Sequence, residues 1–336
     1  MTRNQETGAV HPNAPLDITI DAKAEIERIA ETLRSQVLRQ LRRRGIVLGL
    51  SGGIDSSVTA ALSVAALGPD KVLGILMPET DSDPDSLRLG RLVASTLKIE
   101  HVVEDIGPML DVAGCYRRRD EAIRQIVPEF GPGWGCKVVI DAAQNGGLNL
   151  THLIVRSPDG VTNKVRMPLL VYQGVIAATN MKQRTRKQIE YYHADRLNYA
   201  VAGTPNRLEL DQGFFVKNGD GAADVKPIGH LYKSQVYQLA AELGIPDEIL
   251  NRPPTTDTWS IPQTQDEFYF ALPYREMDLC LLGMNRGYSA EETGRAAGLT
   301  ASQVVRVWRD IQSKRRATRY LQEPPMLVEA VLGKQS

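Results

Sequence analysis

The apolar run Ile46-Val47-Leu48-Gly49-Leu50 leads straight into Ser51-Gly52-Gly53-Ile54-Asp55-Ser56-Ser57, and a stretch rich in Ala, Val and Leu follows over 55–67. A short, continuous apolar run is the pattern of a strand buried on both faces, and the stretch after the loop has helical spacing. The loop therefore joins the end of a buried strand to the start of a helix. There the first backbone N–H groups lack partners and the helix dipole turns its positive end outward, which makes an anion site. Gly52 and Gly53 let main chain approach a ligand closely, and Ser51, Ser56 and Ser57 add hydroxyl donors. Asp55 would repel a bare phosphate. Its place in such a loop makes sense as a ligand of Mg²⁺, a hard cation bound through oxygen and shared with phosphates. The Walker pattern G-x-x-x-x-G-K-[ST] is absent from the chain, which argues against a kinase or GTPase of that type.

The rest of the pattern extends this first unit. Val72 to Met77 and His101-Val102-Val103 have strand character, 85–98 and 175–195 helical character, and Leu197 to Ala202 that of a further strand. Strand–helix alternation with short links predicts an α/β fold with a doubly wound, mostly parallel sheet. Such sheets bind ligands at the carboxyl ends of their strands. A helix is expected over 21–44, started by Asp17 or Asp21 and ended by the basic group Arg39, Arg42, Arg43 and Arg44, which suits the negative end of a helix dipole. Helices are also expected at 232–243 and across 285–320. Residues 106–170 break the rhythm: a Gly-Pro-Gly turn cluster at 131–133 precedes two strand-like runs, 151–155 and 161–167, around Ser157-Pro158-Asp159-Gly160, which predicts an inserted hairpin. The expected division is a lead-in and helix over 1–44, the main domain over 45–284 with its insertion, and a helical tail over 285–336.

Balanced charge, 40 basic against 40 acidic residues, gives no global argument for nucleic acid or an anionic membrane as partner. Cys115, Cys136 and Cys280 form no C-x-x-C pair and are odd in number, so neither a disulfide framework nor a thiolate metal site is expected. With no secretory signal at the start and no long apolar stretch, the expected location is the cytoplasm.

Residues 51–56 match the SGG-x-DS loop of the ATP pyrophosphatases, enzymes with an adenine nucleotide alpha hydrolase-like fold. The region 180–278 narrows the resemblance. Asn180-Met181-Lys182-Gln183-Arg184-Thr185-Arg186 is similar to the N-x-x-A-R-x-R segment of NAD synthetases, and 203–209 (GTPNRLE) to their G-T-x-x-x-x-E segment. The run 213–224 (GFFVKNGDGAAD) resembles G-[FY]-x-T-K-Y-G-D-G-x-x-D. Leu231-Tyr232-Lys233, Pro254-Thr255-Thr256-Asp257, Gln265-Asp266-Glu267 and the run from Tyr274 to Asp278 follow in family order.

The resemblance implies roles by position. Asp55 and Glu209 would hold Mg²⁺ on the ATP phosphates, and Asp55 and Lys233 would be the catalytic pair. Ser51, Gly52, Gly53, Ser56, Ser57, Met77, Arg184, Thr204, Lys233 and Thr255 would bind ATP. Phe214, Lys217, Asp220 and Asp224 would meet the dinucleotide substrate. The implied reaction transfers AMP to the carboxylate of nicotinic acid adenine dinucleotide, after which ammonia displaces AMP to give NAD. Residues before the first strand are too few for a glutamine-hydrolysing domain, so free ammonia or ammonia from a separate glutaminase is expected, and the resemblance implies a homodimer. The sequence departs from the family pattern at Gln183, Pro205 and Asn218, which keeps open a same-fold ligase acting on another carboxylate. A second class of reading comes from 289–309, whose spacing resembles a DNA-binding helix-turn-helix.

Overall fold

The computed structural model describes residues 15–141, 150–253, 258–262 and 272–329. In chain order, helix α1 (Ala22–Ser35), ending in a π turn over 36–40, leads to β1 (Ile46–Gly49), α2 (Ile54–Leu67), β2 (Val72–Leu76), α3 (Pro84–Leu97) and β3 (Glu100–Val103). Helices α4 (Gly107–Val112) and α5 (Cys115–Arg124) precede β4 (Gly135–Asp141), β5 (Leu150–Arg156) and β6 (Thr162–Arg166). The long α6 (Leu169–Leu197), β7 (Ala200–Val201) and α7 (Arg207–Gln212) come next. Helices α8 (Lys233–Glu242), α9 (Asp247–Leu250), α10 (Tyr274–Arg286), α11 (Ala290–Ala297) and α12 (Ala301–Gln322) complete the described chain.

The central sheet has the order β3-β2-β1-β7 and every pairing in it is parallel. Successive residues of a strand point to opposite faces, and both faces are covered. Ile46 and Leu48 of β1 and Val72 and Leu76 of β2 enter a cluster with α1, α2, α3 and α8. Val47, Leu73 and Ile75 enter another with Ile106, Leu110, Cys115, Met181 and Ile189 from the α4–α6 side. Burial on both sides explains why these strands read as continuous apolar runs. The chain winds outward from β1 through β2 to β3, then returns to place β7 on the other side of β1. The order reverses between β1 and β7, where a crevice opens at the carboxyl ends of the strands.

The expected hairpin is present, as β5 and β6, and the structure adds a strand: β4 pairs antiparallel with β5, giving a separate sheet of order β4-β5-β6. Its apolar face, with Cys136, Val138, Leu153 and Val155, packs on α5 and α6. Two expected boundaries shift. Helix α6 starts at Leu169 rather than 175, because it meets α5 and its sheet on one side and the central sheet on another, so no single apolar stripe marks its start. Leu197 belongs to α6, not to a strand, since Asn198 closes the helix in the left-handed region (φ 55°); only Ala200 and Val201 remain for β7.

The helix-turn-helix pattern does form two capped helices. Ser289 and Thr300 make capping boxes with Glu292 and Gln303. The second helix is built into the molecule: Val304 and Ile311 are buried in a cluster with α10, and the Trp308 indole N–H donates to the Cys280 carbonyl at 2.7 Å. Among the described residues, no helix is long and apolar enough to cross a membrane, and the three cysteines are buried free thiols.

Candidate active site

The crevice at the switch point is a cavity of about 710 Å³, walled by the ends of β1, β2 and β7, by the start of α2, and by α6 and the 213–220 loop. Helix α2 has Gly53 as its N-cap and so no side-chain cap, and its first-turn N–H groups meet the cavity without a competing side chain. The loop braces itself instead. Ser51 Oγ accepts from Gly53 N–H (3.3 Å) and lies 3.1 Å from Ser56 Oγ, while the Ser56 and Ser57 hydroxyls donate to the Gly53 carbonyl at 3.0 and 2.8 Å. Gly52 has φ +74°, and a β-carbon there would lie 2.7 Å from Leu89 Cβ and 2.9 Å from the Ser86 carbonyl. Its task is to seat the loop against α3 in a conformation side chains disfavour.

Of the residues expected at the site, Ser51, Gly53, Asp55, Ser56, Met77, Arg184, Thr204, Glu209, Phe214, Lys217, Asp220 and Lys233 line the cavity. Gly52 and fully buried Ser57 support the loop from behind. Asp224 lies elsewhere: its carboxylate accepts from Val201 N–H (2.8 Å) and from the Tyr191 hydroxyl (3.3 Å), fixing the turn after β7. Lys217 lines the wall, yet its ammonium donates to the Tyr320 and Glu323 carbonyls (2.7 and 3.0 Å), closing the end of α12. Thr255 lies outside the described residues, as do Pro254, Thr256, Asp257 and the 265–267 segment.

The electrostatic centre joins α2, α7 and α8. Lys233 is 1% exposed and its ammonium pairs with the Asp55 carboxylate. Burial opposes its charge, but Asp55 and Glu209 outweigh that, and its pKa is raised. Glu209 is pushed up to about 8, first by burial and then by the Asp55 charge. One Glu209 oxygen accepts from Asn206 N–H (3.0 Å) in a capping box that starts α7. Asp55 Oδ1 is buried with no hydrogen-bond partner. Two carboxylates, one with an orphan oxygen and one driven toward its neutral form, suit a hard divalent cation. No group of three or more His, Cys, Asp or Glu that could hold a metal occurs among the described residues, so such a cation would take its remaining ligands from phosphate and water.

Several residues on the cavity wall or behind it carry no signal in the loop motif. Lys187 and Glu190 of α6 form a buried pair at 2.5 Å inside the cavity. Arg252 Nη2 donates to Asp83 at 2.8 Å, tying α9's end to the start of α3. Lys182, 1% exposed, donates to Glu79 (2.9 Å), Asp81 (2.6 Å) and the Thr258 carbonyl (2.8 Å), and Arg119 reaches Asp81 at 2.5 Å. Lys182 does sit within the Asn180–Arg186 motif; Arg119 and Glu190 lie in no recognisable pattern. One departure from the family pattern has a local cause. Asn218 occupies the left-handed region (φ 62°), which Asn tolerates better than most side chains. Gln183 packs under the same loop, where a β-carbon at Gly219 would come within 2.9 Å of Gln183 Cβ.

A family model described as NAD synthase matches residues 25–126 and 159–322. The NH(3)-dependent NAD(+) synthetase of Rhizobium meliloti (strain 1021) is 66% identical to this chain, with 94% of each covered. Among solved structures, the chain resembles NMN synthetase from Francisella tularensis (TM-score 0.64, 21% identity, 92% of this chain and 99% of that one). It also resembles the NH3-dependent NAD synthetase of Campylobacter jejuni (TM-score 0.60, 22% identity, 92% and 100%). At these identities the structural likenesses speak for the fold alone.

Proposed function

The chain belongs to the NAD synthase family, and from that premise we propose that it is an ammonia-dependent NAD synthetase. It uses ATP to adenylate the carboxylate of nicotinic acid adenine dinucleotide, then transfers ammonia to give NAD, AMP and pyrophosphate. The observation that carries the reading is the uncapped, glycine-seated start of α2 at the switch point, facing the Asp55–Lys233–Glu209 cluster across one cavity. The alternative of a same-fold ligase on another carboxylate is not favoured, because the rhizobial relative shares most of the chain and bears the NAD synthetase name.

A carboxylate is a poor acylating agent, and joining it to AMP supplies a leaving group. The α2 N–H groups receive phosphate oxygens, where helix-terminal donors stabilise negative charge, and the Ser51 and Ser56 hydroxyls turn from their partners within the loop to add donors. Lys233, held rigidly at the start of α8, faces the charge that gathers on departing pyrophosphate. Asp55 and Glu209 would hold Mg²⁺, which supplies charge neutralisation on the phosphates. Met77 and Thr204 would bound the nucleotide, and Phe214 with Asp220 the dinucleotide. Ammonia arrives free or from a separate glutaminase.

With ATP, Mg²⁺, ammonium and nicotinic acid adenine dinucleotide, the purified protein is expected to form NAD and AMP in equal amounts. Absence of NAD, together with exchange of pyrophosphate into ATP on a different acid, would sink the assignment.

We place the protein in the cytoplasm, consistent with three free thiols, and assign it a homodimeric state. The support for the dimer is a pair of adjacent apolar side chains at the start of α6, Leu169 and Leu170, exposed at 68% and 78%. Exposed apolar surface of that kind, when extended, marks interaction sites. A Leu169→Glu/Leu170→Glu double variant should elute as a monomer by light scattering where the wild type is a dimer. Identical masses for the two would remove this face from the interface.

A further inference from the structure

The family model passes over residues 127–158, the stretch that contains β4 and β5. This inserted stretch does not stand apart from the cavity. Residues 258–262 run along β4, and Thr258 and Trp259 form part of the cavity wall. Cys136 N–H donates to Ser260 Oγ at 2.9 Å, Ile261 N–H donates to the Cys136 carbonyl at 3.3 Å, and Lys137 Nζ donates to the Pro262 carbonyl at 3.1 Å. Trp259, 6% exposed, shares an apolar cluster with Cys136, Val138, Leu153 and Val155 of the inserted strands. At its other end the segment is held by Lys182, whose ammonium donates to the Thr258 carbonyl and also grips Glu79 and Asp81 after β2. One fastening thus comes from α6, which the family model matches, and the other from strands that it does not.

We infer that the inserted β4–β5 strands are a positioning device that presets the 258–262 wall of the substrate cavity, with Ser260 as the residue through which they act. The inference rests on the function proposed above. A wall already ordered before ligand arrives spares binding the cost of ordering it. The insertion therefore strengthens ligand affinity and leaves the chemical step untouched, because none of its ties reaches Asp55, Glu209 or Lys233.

Two variants isolate the device. Ser260→Ala removes the acceptor for Cys136 N–H, and Val138→Ala loosens β4 from beneath, at a fully buried position that does not line the cavity. Calorimetric titration with ATP and with nicotinic acid adenine dinucleotide should show Kd for at least one ligand rising about five- to tenfold in Ser260→Ala, the scale of one lost hydrogen bond, and rising in the same direction in Val138→Ala. The kcat at saturation should stay within about twofold, and Ser260→Thr, which keeps the hydroxyl, should restore affinity. If both Kd values in the folded Ser260→Ala and Val138→Ala proteins match the wild type, or if kcat falls while Kd holds, the positioning role is overturned. Wild-type protein that binds both ligands yet forms no NAD would count against the proposed reaction and not against the clamp, so the two failures are distinguishable.

Discussion

Glu209→Gln is expected to cut kcat/KM for NAD formation by roughly 10²–10³-fold, the scale of losing one charged group at a phosphoryl-transfer site. The same variant should melt higher than the wild type when both are metal-free at high pH. Glu209 is buried beside Asp55, and burial followed by that charge pushes its pKa up to about 8 from an ordinary 4.5. The folded protein therefore holds this proton more tightly than the unfolded chain does. The group costs nothing below the ordinary value, and its cost grows as pH rises from there through about 8, where a second buried carboxylate must ionise next to Asp55. Glutamine carries no charge and can still accept from Asn206 N–H, so α7 keeps its cap. In chelator, the two proteins should melt together near the acid end of this window. At about pH 9 the variant should lead by 2 °C or more, since each ~1 kcal/mol moves the midpoint of a domain this large by about that much. Unaltered turnover, or a variant that melts below the wild type at high pH, would remove Glu209 from the metal and phosphate centre.

That trade between stability and turnover explains what was legible in the sequence. The loop at 51–57 was readable because a helix start without a side-chain cap needs glycines and small hydroxyls, and few alternatives satisfy that need. Parallel strands buried on both faces read as continuous apolar runs, so β1 and β2 were found within a residue of their ends. Strand β4 was missed because its neighbours are Gly-rich turns and its partner strand lies after the 142–149 segment, leaving no local hairpin signal. Start and end of α6 were blurred because a helix packed on several sides loses its single stripe. Asp224 and Lys217 both stand in the expected motif, but the bonds they make could not be read from it: the first ties off the turn after β7, and the second, on the cavity wall, also closes α12. Lys187 with Glu190 on the cavity wall, and Arg119 with Asp81 behind it, join residues on a helix face with no pattern of its own or distant in the chain, and only the fold brings them together.

Lys233→Met should give the deepest defect, and for two separable reasons. Among the described residues, the ammonium is the one charge of opposite sign paired with Asp55. Its helix is anchored by Asp278, which accepts from Lys233 N–H at 3.2 Å and Ser234 N–H at 2.7 Å, so the side chain leaves from a fixed point. Removing the charge takes a stabilising cation from the departing pyrophosphate, and kcat should fall by about 10³-fold. It also leaves Asp55 and Glu209 together in a buried site, and losing one partner of a buried pair costs about 3–5 kcal/mol. The second effect must weaken toward low pH, where Glu209 takes up its proton, and grow as the pH rises. Adding Asp55→Asn removes the stranded charge, so the double variant should recover most of the lost melting temperature while remaining inactive. A double variant that regains no stability would contradict this division, as would wild-type kcat in the folded single variant, the mark of a lysine needed only for folding. A lysine needed only for catalysis would leave the single variant as stable as the wild type.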